Sequence, residues 1–264
     1  MVRPKLVKPR GILHARVGDP GPGYARYWPA DDLAPLVEHF WRLVWDLPEP
    51  GQAEVLSHPS VHLAFERGRS GVNGVVTGRF TRRLEGKGRI LGVKFRPGGF
   101  RPFLGGPVST LTDRTVPVGE VFGSAGATLE EHVLAQADDG AAFELVQSFL
   151  RGRQPVADET VELVGRITDR VASDREITRV EHLVRELGIG TRKLQRLFDD
   201  YVGVSPKWVI QRYRLHEAAE RIALGTAIDW AALALDLGYA DQAHFIRDFR
   251  RLVGRSPASY AKAF

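Results

Sequence analysis

The strongest constraint on this chain is an internal repeat in its last third. Leu187-Gly188-Ile189 returns fifty positions later as Leu237-Gly238-Tyr239. Leu194, Phe198 and Gly203-Val204-Ser205-Pro206 return as Phe245, Phe249 and Gly254-Arg255-Ser256-Pro257, shifted by fifty-one, so the second copy carries one extra residue in its turn. Self-similarity at a fixed period means that one supersecondary unit has been built twice. In the first copy a helix ends at Leu187, because Gly188 can take the left-handed conformation of a sharp helix exit. A second helix begins near Thr191, read here as its cap. Leu194, Leu197, Phe198 and Tyr201 then fall on one stripe, and Arg192, Gln195, Arg196 and Asp199 on the opposite one.

The second copy repeats the logic. A helix over 229–237 turns Trp230, Leu233, Ala234 and Leu237 inward, Asp241 caps the next helix, and Phe245, Phe249, Leu252 and Val253 face a core. Gln242, Ala243, Ile246, Arg247 and Arg250 are left facing outward. Two helices joined through a glycine turn, the second carrying long hydrogen-bonding side chains, form the helix-turn-helix arrangement that lays its second helix in the DNA major groove. Arg and Gln are the side chains suited to guanine and adenine edges there. Between the copies, 207–224 reads as one long helix with Val209, Tyr213, Leu215, Ala218, Ile222 and Ala223 as its apolar positions. Such a helix would hold the two units apart, and a spacing of roughly 34 Å would bring both second helices to successive major grooves on one side of a duplex.

Charge is consistent with that reading. The net charge is only +5, but the cations cluster. Arg192, Lys193, Arg196, Lys207, Arg212 and Arg214 stand against Asp199 and Asp200, and Arg247, Arg250, Arg251, Arg255 and Lys262 stand against Asp248. Local basic patches favour a polyanionic partner, although a solvated helix face gives the same count.

The rest of the chain has a different texture. Up to about residue 123 it is rich in Gly and Pro, with short apolar runs at 61–65, 74–76 and 90–95 bounded by turns at Arg69-Ser70-Gly71 and Arg96-Pro97-Gly98-Gly99, which predicts short strands. One helix is expected to interrupt them, since Leu33, Leu36, Val37, Phe40 and Trp41 recur at helical spacing after Asp31 and Asp32. Helical periodicity follows over 130–134, 141–150 and 160–171, with a hinge expected at 152–158. The fold class is therefore α+β: a strand-rich sensing or regulatory domain over 1–123, a helical connector over 124–171, and an all-α domain over 172–264 with two helix-turn-helix units joined by a linker helix. No apolar run approaches the roughly 20 residues of a membrane span. The basic start lacks the apolar core of a secretory signal, so a cytoplasmic setting is expected. Cysteine is absent, which excludes disulfides, thiolate catalysis and cysteine-ligated zinc.

Other candidate sites are weak. His58 and His62 have a spacing that grips a metal only on a helix, and Pro59 with the strand-like run after it argues against one. The neighbouring carboxylates Glu130-Glu131, Asp138-Asp139 and Asp199-Asp200 point apart on a helix and read as solvated rather than as an acid and base pair. The glycines at 71–74 and 98–99 lack the strand, turn and helix context of a phosphate cradle. Tyr24, Tyr27, Trp28, Phe40, Trp41 and Trp45 read as core more readily than as the wall of a ligand pocket. No metal, cofactor or catalytic residue is expected.

The stretch from Ala234 through Leu237-Gly238-Tyr239, Asp241, His244-Phe245, Arg247, Phe249-Arg250-Arg251 and Gly254 to Ser256-Pro257 closely resembles the signature of the AraC/XylS family of transcription regulators. Arg212, Tyr213, Arg214, Leu215, Ala218 and Ala219 are similar to that family's central linker helix. The resemblance covers the last third of the chain. It implies base reading by Arg192, Gln195 and Arg196 in the first unit and by Gln242, Ala243, Ile246 and Arg247 in the second, with DNA backbone contacts at Thr191, Lys207, Arg250 and Arg251. The implied partners are double-stranded promoter DNA and RNA polymerase, with room for a small-molecule effector at the N-terminal domain and for a homodimer. Alkyl-accepting repair enzymes also carry such readers, but they need a reactive cysteine. Ahead of the reader, His39-Phe40-Trp41, Leu56-Ser57-His58-Pro59 and the run from Gly92 to Gly99 look like a domain of unassigned role rather than a metal-binding sensor barrel.

Overall fold

A computed structural model describes residues 23–153, 155, 158–224 and 228–262. The basic start, and Gln154, Val156 and Ala157 of the expected hinge, lie outside the described residues. The first part is a six-stranded antiparallel sheet in the order β1-β2-β5-β3-β4-β6, made of β1 (Tyr24–Tyr27), β2 (Val37–Val55), β3 (His62–Phe65), β4 (Gly71–Asn73), β5 (Phe80–Phe95) and β6 (Thr115–Val116). Three short helical pieces flank β6: α1 (Arg101–Leu104), a 3-10 turn (Val108–Leu111) and α2 (Val118–Phe122).

The helix expected from Leu33 to Trp41 is not there. One tight turn forms, with the amide of Val37 donating to the Leu33 carbonyl at 2.8 Å, and β2 starts at once. The reason is a bulge between Val37 and His39. It shifts the strand's two-residue alternation by one, so that Val37 and Phe40, three apart, both reach the core with no exposed surface. A bulged strand of β-branched and aromatic residues thus imitates helical spacing. The run at 74–76 is likewise not a strand; pairing falls on Gly71–Asn73 instead, and Gly74 passes so close to Leu111 that a Cβ would lie 1.8 Å from its carbonyl oxygen.

β2 and β5 pair along their whole length, from Val37 opposite Phe95 to Val55 opposite Phe80. The chain must return from Val55 to His62, which lies opposite Lys94, in about seven residues, a reach of at most ~25 Å. A straight β5 would separate those ends by ~46 Å, so the ribbon has to curl. The bend falls at the bulge between Leu47 and Gly51, opposite Gly86 with its φ of +53°, and it brings Arg82 back onto Glu66 in an ion pair.

Three apolar cores follow. The first joins the sheet (Phe40, Leu63, Val93, Phe95) to α3 (Ser124–Ala135) and α4 (Asp139–Gly152) through Val133 and Phe143. The second unites α5 (Glu159–Ser173), α6 (Val180–Leu187), α7 (Thr191–Tyr201) and the first half of α8 (Pro206–Ala223), through Val164, Leu183, Leu194, Phe198 and Val209. The third unites the second half of α8 with α9 (Trp230–Asp236), α10 (Gln242–Val253) and α11 (Pro257–Ala261), through Leu215, Ile222, Leu233, Phe245 and Phe249. The fold class is α+β as the sequence implies, with two helix-turn-helix units sharing one linker helix. Among the described residues no helix is long and apolar enough to cross a membrane.

Candidate nucleic-acid interface

In the first unit, Gly188 ends α6 in the left-handed region at φ 63°. Thr191 is not the cap of α7 but its first residue. The cap position is Gly190, which has no side chain to offer the free amides. Leu194 and Phe198 are buried, Leu197 and Tyr201 half-buried, and Thr191, Arg192, Lys193, Gln195 and Arg196 exposed. Two acids stand further along α7, and both turn toward the sheet domain. Asp199 accepts from the Ser109 hydroxyl at 3.1 Å, and Asp200 pairs with Arg101 at 2.9 Å. Their charge is drawn away from the arginine face, so they are not simply solvated.

The second unit is capped at both helices. Asp229 accepts from the amides of Ala231 and Ala232, and Asp241 from the amide of His244 at 2.7 Å. Gly238 makes the turn at φ +80°. Gln242, Ala243, Arg247, Arg250 and Arg251 are exposed, as is Lys207 in the first turn of α8. Ile246 does not face outward fully; it is half-buried against the third core.

Arg192, Lys193, Arg196, Lys207, Arg247 and Arg250 make no ion pair with any described residue, whereas several cations elsewhere in the helical part of the chain are matched. Arg170 pairs with Glu186, Arg175 with Glu217, and Arg221 with Glu217 and Asp236. Uncompensated cations on an exposed helix face can neutralise phosphates of a polyanion, releasing the counterions condensed on it.

Two cations counted from the sequence as part of the first patch do not belong to it. Arg212 and Arg214 are 1% and 2% exposed. Arg214 donates to the Val171 carbonyl and pairs with Glu217 at 3.0 Å. Arg212 lies over the Trp208 ring at 4.4 Å and donates to the Thr77 carbonyl at 2.7 Å. Burial, with Arg251 nearby, pushes the Arg212 guanidinium down to about 10.

The sheet domain holds a polar row that the sequence reading passed over. His39, Lys94 and His62 stand in register across β2, β5 and β3. Lys94 bonds Glu38 at 2.9 Å, His39 approaches the same carboxylate at 3.3 Å, and Trp28 meets His39 edge-on. Trp41 covers Gly92, where a Cβ would lie 2.1 Å from the indole. Burial would raise the Glu38 carboxyl, but the His39 bond and Lys94 outweigh it and hold it at about 2; burial and Lys94 keep His62 neutral down to about 3.

Of the aromatic side chains expected in a core, Tyr27 and Phe40 are buried, Tyr24, Trp41 and Trp45 are half-buried, and Trp28 is 40% exposed. Tyr27 and Phe40 pack on Phe143, while Trp45 lies over Gly88. Asp139, expected to be solvated, accepts from the Tyr27 hydroxyl and pairs with Arg89 and Arg42. His58 is stacked on His216 at 4.1 Å. Among the described residues no cluster of three or more His, Asp or Glu side chains is placed to hold a metal ion. A cavity of about 250 Å³ lies between β3, β5 and α3, floored by Phe65, Leu91 and Val133 and rimmed by Arg67, Lys87 and Arg89.

Comparison with known proteins bears on both halves of the chain. Residues 183–263 match a family model described as a helix-turn-helix domain, and residues 25–117 match one described as a domain of unknown function, DUF6597. Among curated proteins, the HTH-type transcriptional regulator ExsA of Pseudomonas aeruginosa is 31% identical over 75 residues, which is 28% of this chain and 26% of ExsA. The virulence regulon transcriptional activator VirF of Yersinia enterocolitica and the thermoregulatory protein LcrF of Yersinia pestis are each 27% identical over 81 residues, 30% of this chain and 29% of theirs. The matched region thus spans little more than a quarter of these relatives. Among solved structures, ToxT of Vibrio cholerae O395 aligns with 85% of this chain and 97% of its own at 14% identity and a TM-score of 0.42, too slight a likeness to carry an argument.

Proposed function

We propose that this chain, whose residues 183–263 match a helix-turn-helix domain, is a sequence-specific DNA-binding regulator of transcription of the AraC type that lays α7 and α10 in successive major grooves of promoter DNA. The observation that carries the reading is that Arg192, Lys193, Arg196, Arg247 and Arg250, exposed on those two helices, pair with no described residue, while Arg170, Arg175 and Arg221 elsewhere in the helical part are matched by acids. Arg192, Gln195 and Arg196 would read bases in one box, and Gln242, Ala243 and Arg247 in the other, with Ile246 supplying apolar contact to a thymine methyl from its half-buried position. Thr191, Lys207, Arg250 and Arg251 would grip phosphates and fix register without carrying sequence information. The names of the curated relatives, all regulators, favour the same reading.

The separate apolar cores favour a division of labour. The sheet with α1–α4 forms the regulatory domain, and α5 is grouped with the DNA-reading domain whose core it shares. A small-molecule effector would act on the sheet domain, where a cavity of about 250 Å³ lies beside Phe65, Leu91 and Val133. The protein works without catalysis, in the cytoplasm with the chromosome, and its output passes to RNA polymerase. Homodimerisation would double the number of boxes read. The test is selection from a pool of random duplexes by the purified chain. The expected product is a motif of two boxes about one helical turn apart; recovery of unenriched sequence would refute the reading.

A further inference from the structure

The two helix-turn-helix units share α8 but no common apolar core. What stands beside α8 at their junction comes from the sheet domain. Leu56, just past β2, belongs to the third core and has no exposed surface; Val75, between β4 and β5, belongs to the second and is 1% exposed. The sheet domain therefore places one apolar side chain in the core of each unit. Midway along α8, Arg212 spans the same gap, its guanidinium donating to the Thr77 carbonyl at 2.7 Å.

The segment that receives Arg212 is itself held rigidly. Asp113 accepts from both the amide and the hydroxyl of Thr77, at 2.7 and 2.6 Å, and its own amide donates to Val75. Asp113 does this from φ 58°, in the described residues the only non-glycine position with positive φ, a strained geometry that persists only where the surroundings require it. Further contacts flank the key. The His58 ring stacks on His216 of α8, His216 lies 3.3 Å from the Ser57 carbonyl, and Arg79 fills the space beside Gly254 at the end of α10, where a Cβ would fall 2.5 Å from its guanidinium carbon.

From this we infer that residues 55–58 and 74–79 form a wedge, keyed by Arg212, that fixes the position of α7 relative to α10 and so sets the separation of DNA boxes the protein accepts. Arg212 is a positioning residue: it is buried and touches no base. This inference rests on the DNA-reading function proposed above. It gives the regulatory domain a physical route to the reader, since any change that moves the 74–79 segment moves both units against each other.

The experiment uses duplexes carrying the two boxes selected by the wild-type chain, at the native separation and at separations one or two base pairs shorter and longer, together with each box alone. Two full-length variants are compared. Arg212→Met keeps the stem, removes the buried charge and takes its donor from the Thr77 carbonyl. Asp113→Gly keeps the positive φ and frees Thr77 without touching α8. The wild type should prefer the native separation sharply. Both variants should lose about tenfold at that separation, bind the altered separations nearly as well as the native one, and bind single boxes as the wild type does. A variant profile with the wild-type shape, or an equal loss on every duplex including single boxes, would overturn the wedge. A wild type that binds single boxes specifically yet ignores separation would also overturn it, leaving DNA reading intact. A wild type with no sequence preference at all would sink the function and the wedge together.

Discussion

The second helices of the two units, α7 and α10, differ in how they begin. α10 starts on Asp241, whose carboxylate accepts the His244 amide at 2.7 Å, while α7 starts on Gly190 with no side-chain acceptor. The Gly190 backbone sits at φ −69° and ψ 151°, extended values open to any residue, and a Cβ there would meet nothing within 4 Å. Gly190→Ser should therefore stabilise α7 twice over. A hydroxyl cap gains a few tenths of a kcal/mol over glycine, and removing a glycine from an unstrained position gains roughly 0.4–1 kcal/mol by restricting the unfolded chain. The sum, about 1 kcal/mol, corresponds to a shift of roughly 2–4 °C in Tm for a protein of this size. Locally it slows exchange of the Arg192 and Lys193 amides about fivefold, because 1.4 kcal/mol is a factor of ten. The reciprocal change, Asp241→Ala, should cost about 1 kcal/mol and speed exchange at His244. Hydrogen exchange read by mass spectrometry on both variants is the assay. If Gly190→Ser leaves the first turn of α7 unchanged, or if Asp241→Ala affects both helices alike, the local capping argument is wrong.

The remaining predictions concern the turns and the sheet. Gly188 and Gly238 occupy equivalent turns at φ 63° and 80°, but a Cβ at Gly188 meets nothing, whereas at Gly238 it would lie 2.4 Å from Thr178 Cβ. Gly188→Ala should cost about 1 kcal/mol of left-handed strain, and Gly238→Ala clearly more, as read by urea denaturation; equal costs would refute the difference. In the sheet domain the Glu38 carboxyl is held below its ordinary range, at about 2. A depressed carboxyl contributes stability above its unfolded value of roughly 4.3 that is lost as pH falls toward 2. Glu38→Gln should therefore flatten the acid limb of stability between about pH 5 and 2, and identical slopes in the two proteins would contradict the assigned Lys94 and His39 contacts.

How much was legible in the sequence depended on how local the cause was. Asp229, Gly238 and Asp241 act within a turn or two of themselves, and the second unit's helices begin and end where those residues require. The start of β2, 37–41, carries helical spacing in the sequence because one bulge changes the phase of an alternation that shows itself only when unbroken. Arg212 and Arg214 were counted as surface charge because nothing near them in sequence reveals their burial. The carbonyl that receives Arg212 lies 135 positions away, on a segment whose placement depends on how the β2–β5 ribbon curls. Asp199 and Asp200 were misjudged for the same reason, since Ser109 and Arg101 reach them from the sheet domain. The role of each charge in this chain is set by long-range partners rather than by its neighbours in sequence.

The most direct test of the account takes the base preferences of Arg196→Ala and Arg247→Ala from the same random-duplex selection used for the wild type. Each variant should relax the preference at its own position, in a different box, by roughly 1–3 kcal/mol, while the other box keeps its wild-type preference. Both variants retaining full selectivity, or both weakening every sequence alike, would contradict the assignment of α7 and α10 as the elements that read DNA.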